Sequence, residues 1–218
     1  MTGRMAGTGL REILADAGRG VFPAPDGSAV VVPQDNRRDA GVLAFTAHSV
    51  VFTDEDPAWV YAMLAATPAD PLAAAMHPSF LGALLTRTGR RTDTVDVLAV
   101  AGPLPGAPGA ALTEVGDPSH PRVVSSLRRR DGVRVWEDGE GGVLVLGRGV
   151  GGRLEVAVEV AEGARRRGAG RRLVTEARRL SGGEPVWAQI SAGNARSLRA
   201  FLAAGYRPVG SEALFTEE

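Results

Sequence analysis

The residues from Leu154 to Leu173, LEVAVEVAEGARRRGAGRRL, place Arg165-x-x-Gly168-x-Gly170 at the junction between two runs of different periodicity. Gly168 and Gly170 let the main chain approach a ligand without Cβ interference, and the N–H groups that open a helix lack intrahelical partners at the positive end of its dipole. Such a turn attracts an anion. A hydrogen bond to a charged group contributes about 1.5–3 kcal/mol, so several of them beside Arg165, Arg166 and Arg167 could hold a diphosphate. An arginine run in front of an ordinary helix is also commonly just solvated, and from this segment alone both readings stand open.

The elements that must position this turn are legible on either side of it. Val156, Val158 and Val160 alternate with Glu155, Ala157 and Glu159, a period of two rich in β-branched residues that predicts a strand. Beyond Gly168, the spacing of Leu173, Val174, Ala177 and Leu180 predicts one face of a helix. A second segment, residues 185 to 215, has an apolar strand from Val186 to Ile190, then Asn194 as N-cap of a helix with Leu198, Phe201 and Leu202 on one face. Gly205 closes that helix, and two short strands can follow.

Taken together, Arg165-x-x-Gly168-x-Gly170 between strand and helix, and Asn194-x-x-Ser197 followed by Gly205-Tyr206 at the end of the next helix, resemble the GNAT superfamily of N-acetyltransferases. The resemblance covers Val133 to Phe215. It implies an α/β (α+β) fold with a mixed, mostly antiparallel sheet flanked by helices, and acetyl-CoA as cosubstrate. The implied reaction is direct attack of an acceptor amine, on a small molecule or a protein, on the thioester through a tetrahedral intermediate. Carried onto this chain, the backbone of Val158 and Val160 would contact the acetyl group and pantetheine arm. Amides of Arg165, Arg166, Arg167, Gly168, Ala169, Gly170 and Arg171 would hold the pyrophosphate. Asn194 would orient the arm and Ser197 could reach the cofactor, although an N-cap and a neutral helix residue explain these two as well. The alternative function is a non-catalytic module of the same fold that binds an acyl-CoA.

Three positions depart from the family pattern. Arg166 stands where many relatives have Gly, and Glu162 where Pro is common. Phe201 falls where many relatives carry a Tyr that protonates the leaving thiolate. Positioning can supply about 7–11 kcal/mol and one general acid only about 10²–10⁴-fold in rate, so this loss slows catalysis without abolishing it. Tyr206 is no obvious replacement, because in the family that position packs. No general base is legible. Glu155 and Glu159 should point away from the face shared by Val156 and Val158, and Glu212, alternating with Ala213 in the last strand, is the candidate that could face the acceptor pocket, a solvated glutamate being the alternative. His48, His77 and His120 lie upstream and read as structural or exposed, and Asp138 and Glu140 as turn residues, Asp138-Gly139 marking a hairpin. Gly147-x-Gly149-x-x-Gly152 leads into a strand rather than a helix, so it reads as another hairpin turn and not as a dinucleotide fingerprint.

The 218 residues suffice for two small domains. The Gly- and Pro-rich stretch Gly102 to Pro121 reads as a linker between residues 1–117 and an acetyl-CoA-binding domain at 122–218. Upstream, Leu10, Ile13, Leu14 and Ala17 predict a short helix, Ser28 to Val32 a strand, Gly41 to Thr53 extended chain as one long or two paired strands, Pro57 to Ala66 a helix, Phe80 to Leu85 another, and Thr94 to Ala101 a strand. This α+β half is either a degenerate GNAT-like unit or an unrelated cap over the acceptor side.

All 25 basic residues are arginine and they balance 25 acids, which argues against a general nucleic-acid binder; Arg128 to Arg130 read as a solvated helix end. Arg-only, Ala- and Gly-rich usage suggests a bacterial, high-GC source. Without cysteine there is neither a disulfide nor a thiolate metal site, and no other metal centre is expected. No apolar run suits a secretory leader or a bilayer span, so the expectation is a cytoplasmic protein with no membrane partner, open to homodimerisation.

Overall fold

The structure, a computed structural model, describes residues 9–109, 112–165 and 167–217; Arg166 lies outside them. In chain order the first elements are α1 (Leu10–Gly18), β1 (Ser28–Val32), β2 (Ala40–Phe45), β3 (His48–Phe52), α2 (Pro57–Ala66), α3 (Pro71–Ala74), α4 (Pro78–Thr88) and β4 (Val95–Ala101). Then come β5 (Thr113–Glu114), α5 (Pro121–Leu127), β6 (Asp131–Glu137), β7 (Gly142–Arg148), β8 (Leu154–Val160), α6 (Ala169–Arg179), β9 (Val186–Ser191), α7 (Ala195–Ala203) and β10 (Arg207–Phe215).

Four helices begin by one local rule. Pro57, Pro71, Pro78 and Pro121 take the first helical position, where a missing N–H costs nothing, and Asp56, Asp70, His77 and His120 each accept a hydrogen bond from the N–H two residues on. His77 and His120 are therefore capping residues.

The chain divides into two compact units, Met1–Val97 with Val209–Glu218, and Leu98–Pro208. The break expected between 117 and 122 thus falls inside the second unit. In the first, the strand order is β1-β3-β2-β10; β2 pairs antiparallel with β3 and β10, while β1 joins β3 in parallel. The extended chain of 41–53 is accordingly a hairpin, turning where Ala47 takes φ +52°. Val42, Val51, Val60, Phe80, Leu84 and Phe215 make its core, and the four apolar residues predicted for α1 are all buried.

In the second unit the order is β4-β9-β8-β7-β6-β5, antiparallel from β5 to β8 and parallel between β8 and β9. Both units are mixed α/β with mostly antiparallel pairing and flanking helices, the fold class the sequence implied. No helix among the described residues is long and apolar enough to cross a membrane.

The expected linker is instead tied to α6. Arg178 donates through Nε to the Gly102 carbonyl at 2.8 Å, its own carbonyl accepts from Leu104 N–H at 3.0 Å, and Glu176 accepts from Gly109 N–H at 2.9 Å. These bonds satisfy main-chain groups that a free linker would leave to water. Two further expectations change. A single nine-residue strand, β10, follows Gly205 rather than two short ones. Leu202, placed on the inner face of α7, is 44% exposed, because the helix turns Phe201 inward and ends at Ala203, one residue beyond Leu202.

Candidate functional site

Two tight turns deliver β8. Between β6 and β7 the Asp138 carboxylate accepts the N–H groups of Glu140 at 2.9 Å and Gly142 at 2.7 Å, with Gly139 and Gly141 both at positive φ. Between β7 and β8 the chain makes a 3-10 turn over Val150–Gly152, which is where the Gly147-x-Gly149-x-x-Gly152 run lies.

Glu155, at the start of β8, is buried between two arginines. Its carboxylate meets Arg153 Nε at 2.9 Å and Arg130 Nε at 3.0 Å and accepts from Val150 N–H at 3.3 Å; Arg153 also lies over the Trp187 ring, 5.5 Å from its centroid. A Cβ on Gly149 would collide with this carboxylate. Arg130 is thus half of a buried ion pair rather than part of a solvated helix end. Glu159 pairs with Arg122 at 3.3 Å.

The parallel ladder between β8 and β9 holds at Leu154–Val186 and Glu155–Trp187 and then ends. Among the described residues β8 continues from Val156 to Val160 paired only with β7, and the two strands part on that side. A cleft of about 710 Å³ opens there. Val158, Glu159 and Val160 of β8 line it, with Ala164, Arg165, Gly168, Ala169, Gly170 and Arg171 at the start of α6 and Asn194, Arg196, Ser197, Arg199 and Ala200 of α7.

Gly168 is the N-cap of α6 with φ +79°, a conformation that favours glycine, and no side chain caps this helix end. Helix geometry leaves the N–H groups of Ala169, Gly170 and Arg171 without intrahelical acceptors. A Cβ on Gly170 would have Ala200 Cβ and Val160 Cγ2 as nearest neighbours, both at 3.9 Å, so the space before it is free. Arg165 is braced by a 3.1 Å bond from Nε to the Val160 carbonyl. Arg167 does not line the cleft; its carbonyl accepts from Arg172 at 2.9 Å. An uncapped helix start, a glycine-walled space and adjacent guanidinium groups fit a diphosphate-bearing ligand.

Opposite, Asn194 Oδ1 accepts from Ser197 N–H at 3.0 Å. The N-cap reading of Asn194 therefore holds, and the side-chain Nδ2 stays available as a donor. The far end of α7 closes on Gly205 at φ +85°, with Gly205 N–H bonded to the Leu202 carbonyl at 3.0 Å and Tyr206 N–H to the Phe201 carbonyl at 3.1 Å. Phe201 is buried, with its ring edge-on to Tyr206 at 4.9 Å. Burial pushes the Tyr206 hydroxyl well above the ordinary tyrosine pKa, against a weaker opposite pull from Arg178.

The remaining expected residue, Glu212, is 1% exposed on β10, opposite Leu43 of β2, and belongs to the first unit. Arg196 and Arg199 escaped the sequence reading, although their spacing of three, just after an N-cap, puts them on one side of a helix. Among the described residues no group of three His, Cys, Asp or Glu is arranged to hold a metal ion.

Among solved structures, the chain is similar to a protein described as an acetyltransferase of the GNAT family from Novosphingobium aromaticivorans, with a TM-score of 0.42 and 20% identity over 60% of this chain and 68% of that one. It is also similar to GCN5-related N-acetyltransferases from Kribbella flavida (TM-score 0.38, 16% identity, 63% of each chain) and Sphaerobacter thermophilus (0.36, 14%, 64% of this chain and 56% of that one). It therefore spans less than two thirds of the length of the latter two. No family model and no curated protein matches the chain.

Proposed function

We propose that this chain is an N-acetyltransferase that moves an acetyl group from acetyl-CoA to an amine of a small molecule or protein. The observation that carries the reading is the cleft where β8 parts from β9 directly before the uncapped, glycine-walled start of α6. Acetyl-CoA, when bound, supplies a thioester carbonyl open to an amine and a thiol as leaving group. The chain holds and orients it. Amides of Ala169, Gly170 and Arg171, with the Arg165 and Arg171 guanidinium groups, hold the diphosphate. The stretch of β8 without a β9 partner offers the main-chain groups of Val158 and the N–H of Val160 to the amide-bearing arm, the Val160 carbonyl being engaged by Arg165, and Asn194 Nδ2 adds a donor from the other wall. Such positioning is worth about 7–11 kcal/mol.

The groups nearest the cleft that could move a proton are otherwise engaged. Phe201 has no proton to give and the Tyr206 hydroxyl is engaged inside the fold. Glu159, the carboxylate in the cleft lining, is paired with Arg122. These facts favour a second reading, a module that binds acyl-CoA without turning it over.

Calorimetric titration with acetyl-CoA, followed by assay of thiol release over a panel of amines, separates the two. Saturable binding with amine-dependent thiol release supports the enzyme. Binding with no release for any amine supports the module, and a folded protein that does not bind sinks both.

A further inference from the structure

We propose that Arg196 and Arg199 recognise a phosphate monoester carried by the ligand in addition to its diphosphate, so that this chain distinguishes CoA from dephospho-CoA. The inference rests on the acyl-CoA reading above and concerns a part of the cleft which that reading leaves unused. Arg165 and Arg171 flank the uncapped turn of α6 and, with its amides, match a diphosphate. Arg196 and Arg199 line the same cleft from α7 and are surplus to that match.

Three observations say that the surplus awaits an anion. First, among the described residues no carboxylate lies within ion-pair distance of either guanidinium, in a chain with as many acids as arginines. The carboxylate in the cleft lining, Glu159, is held by Arg122. Second, Arg196 stands in the first turn of α7, where the helix dipole disfavours a cation and no acidic residue compensates. Third, Arg196 and Arg199 are three residues apart on one helix, where like charges repel. An anion placed before them relieves all three.

A phosphate monoester carries a charge of about −1.5 to −2 near neutral pH, and paired guanidinium groups suit its oxygens. In CoA that group is the 3′-phosphate of the nucleotide; dephospho-CoA is identical except for its loss.

The test is calorimetry of the full chain with CoA and with dephospho-CoA. The wild type should bind CoA more tightly by on the order of ten- to a hundredfold, the span of one or two charge-assisted contacts. The difference should shrink at high salt. The double variant Arg196→Gln, Arg199→Gln should abolish it; both side chains are exposed, and circular dichroism checks that the fold is kept. Equal affinity of the wild type for both ligands overturns the proposal, as does a double variant that still discriminates. Binding of neither ligand by folded protein overturns the acyl-CoA reading and this inference with it.

Discussion

The hydroxyl of Tyr206 donates to the carbonyl of Val174 at 3.2 Å, joining the residue after the Gly205 turn to the middle of α6. Its proton is thus committed to packing α7 on α6. Tyr206→Phe should cost about 0.5–1.5 kcal/mol in urea unfolding and leave ligand binding intact. The raised pKa adds a pH signature. Between the ordinary tyrosine value of about 10 and the higher folded one, the unfolded chain loses its proton and the folded chain keeps it, so stability falls as pH rises past about 10. The Phe variant should show a shallower alkaline decline; identical declines would place the titrating group elsewhere.

Gly170 separates stability from binding. Its Cβ would make ordinary contacts at 3.9 Å, so Gly170→Ala should keep or raise stability by up to about 1 kcal/mol through helix propensity. Gly170→Val fills the space before the α6 amides and should weaken acetyl-CoA binding by on the order of tenfold or more, as charge-assisted bonds are lost. Unchanged affinity in the Val variant would remove the diphosphate from this turn.

The Glu155 cluster predicts a contrast along one strand. Glu155→Gln leaves Arg130 and Arg153 buried without their counterion and should cost about 3–5 kcal/mol. Glu159→Gln breaks an exposed pair and should cost about 0–1 kcal/mol. Denaturant titration of both checks the ranking.

In the first unit, Asp26 accepts from Ser28 Oγ at 2.6 Å and Ser28 N–H at 2.9 Å, and lies 3.1 Å from Nδ1 of the buried His48. These bonds, Ser28's first, hold the Asp26 carboxyl well below the usual carboxylate range. The stability this lends is present above the ordinary aspartate pKa of about 3.9 and is lost as pH falls below it. Asp26→Asn should therefore lose more stability at pH 6 than at pH 3, measured by unfolding midpoints.

Local chemistry was readable where one segment carries it. Pro57 opens the Pro57–Ala66 helix, whose bounds the sequence predicts; β8, α6 and the Asn194 cap are legible as elements, although the apolar spacing carries α6 on to Leu180, which caps the helix rather than belonging to it. Asp70-Pro71, His77-Pro78 and His120-Pro121 carry the same start signal for α3, α4 and α5, which apolar spacing alone does not reveal. The rest depends on distant partners. Nothing near Glu155 announces Arg130, and nothing in the Gly102–Gly109 stretch announces Glu176 and Arg178. The cleft was half legible: its glycines and Asn194 come from motifs, whereas Arg196 and Arg199 matter only once α7 lies beside α6.

The pairing of β10 with β2, from Ser211–Ala44 to Phe215–Ala40, bears on how the protein is made. β10 leaves the ribosome after every other described element, so at about 5–20 residues per second β2 waits for seconds with one edge open. Ala213 and Phe215 complete the core around Val42, Val51 and Phe80, so the earliest half of the chain to be synthesised is the last to be sealed. During that interval an apolar strand edge is exposed to neighbouring nascent chains, and chaperone dependence should track the rate of elongation rather than the intrinsic stability of the first unit.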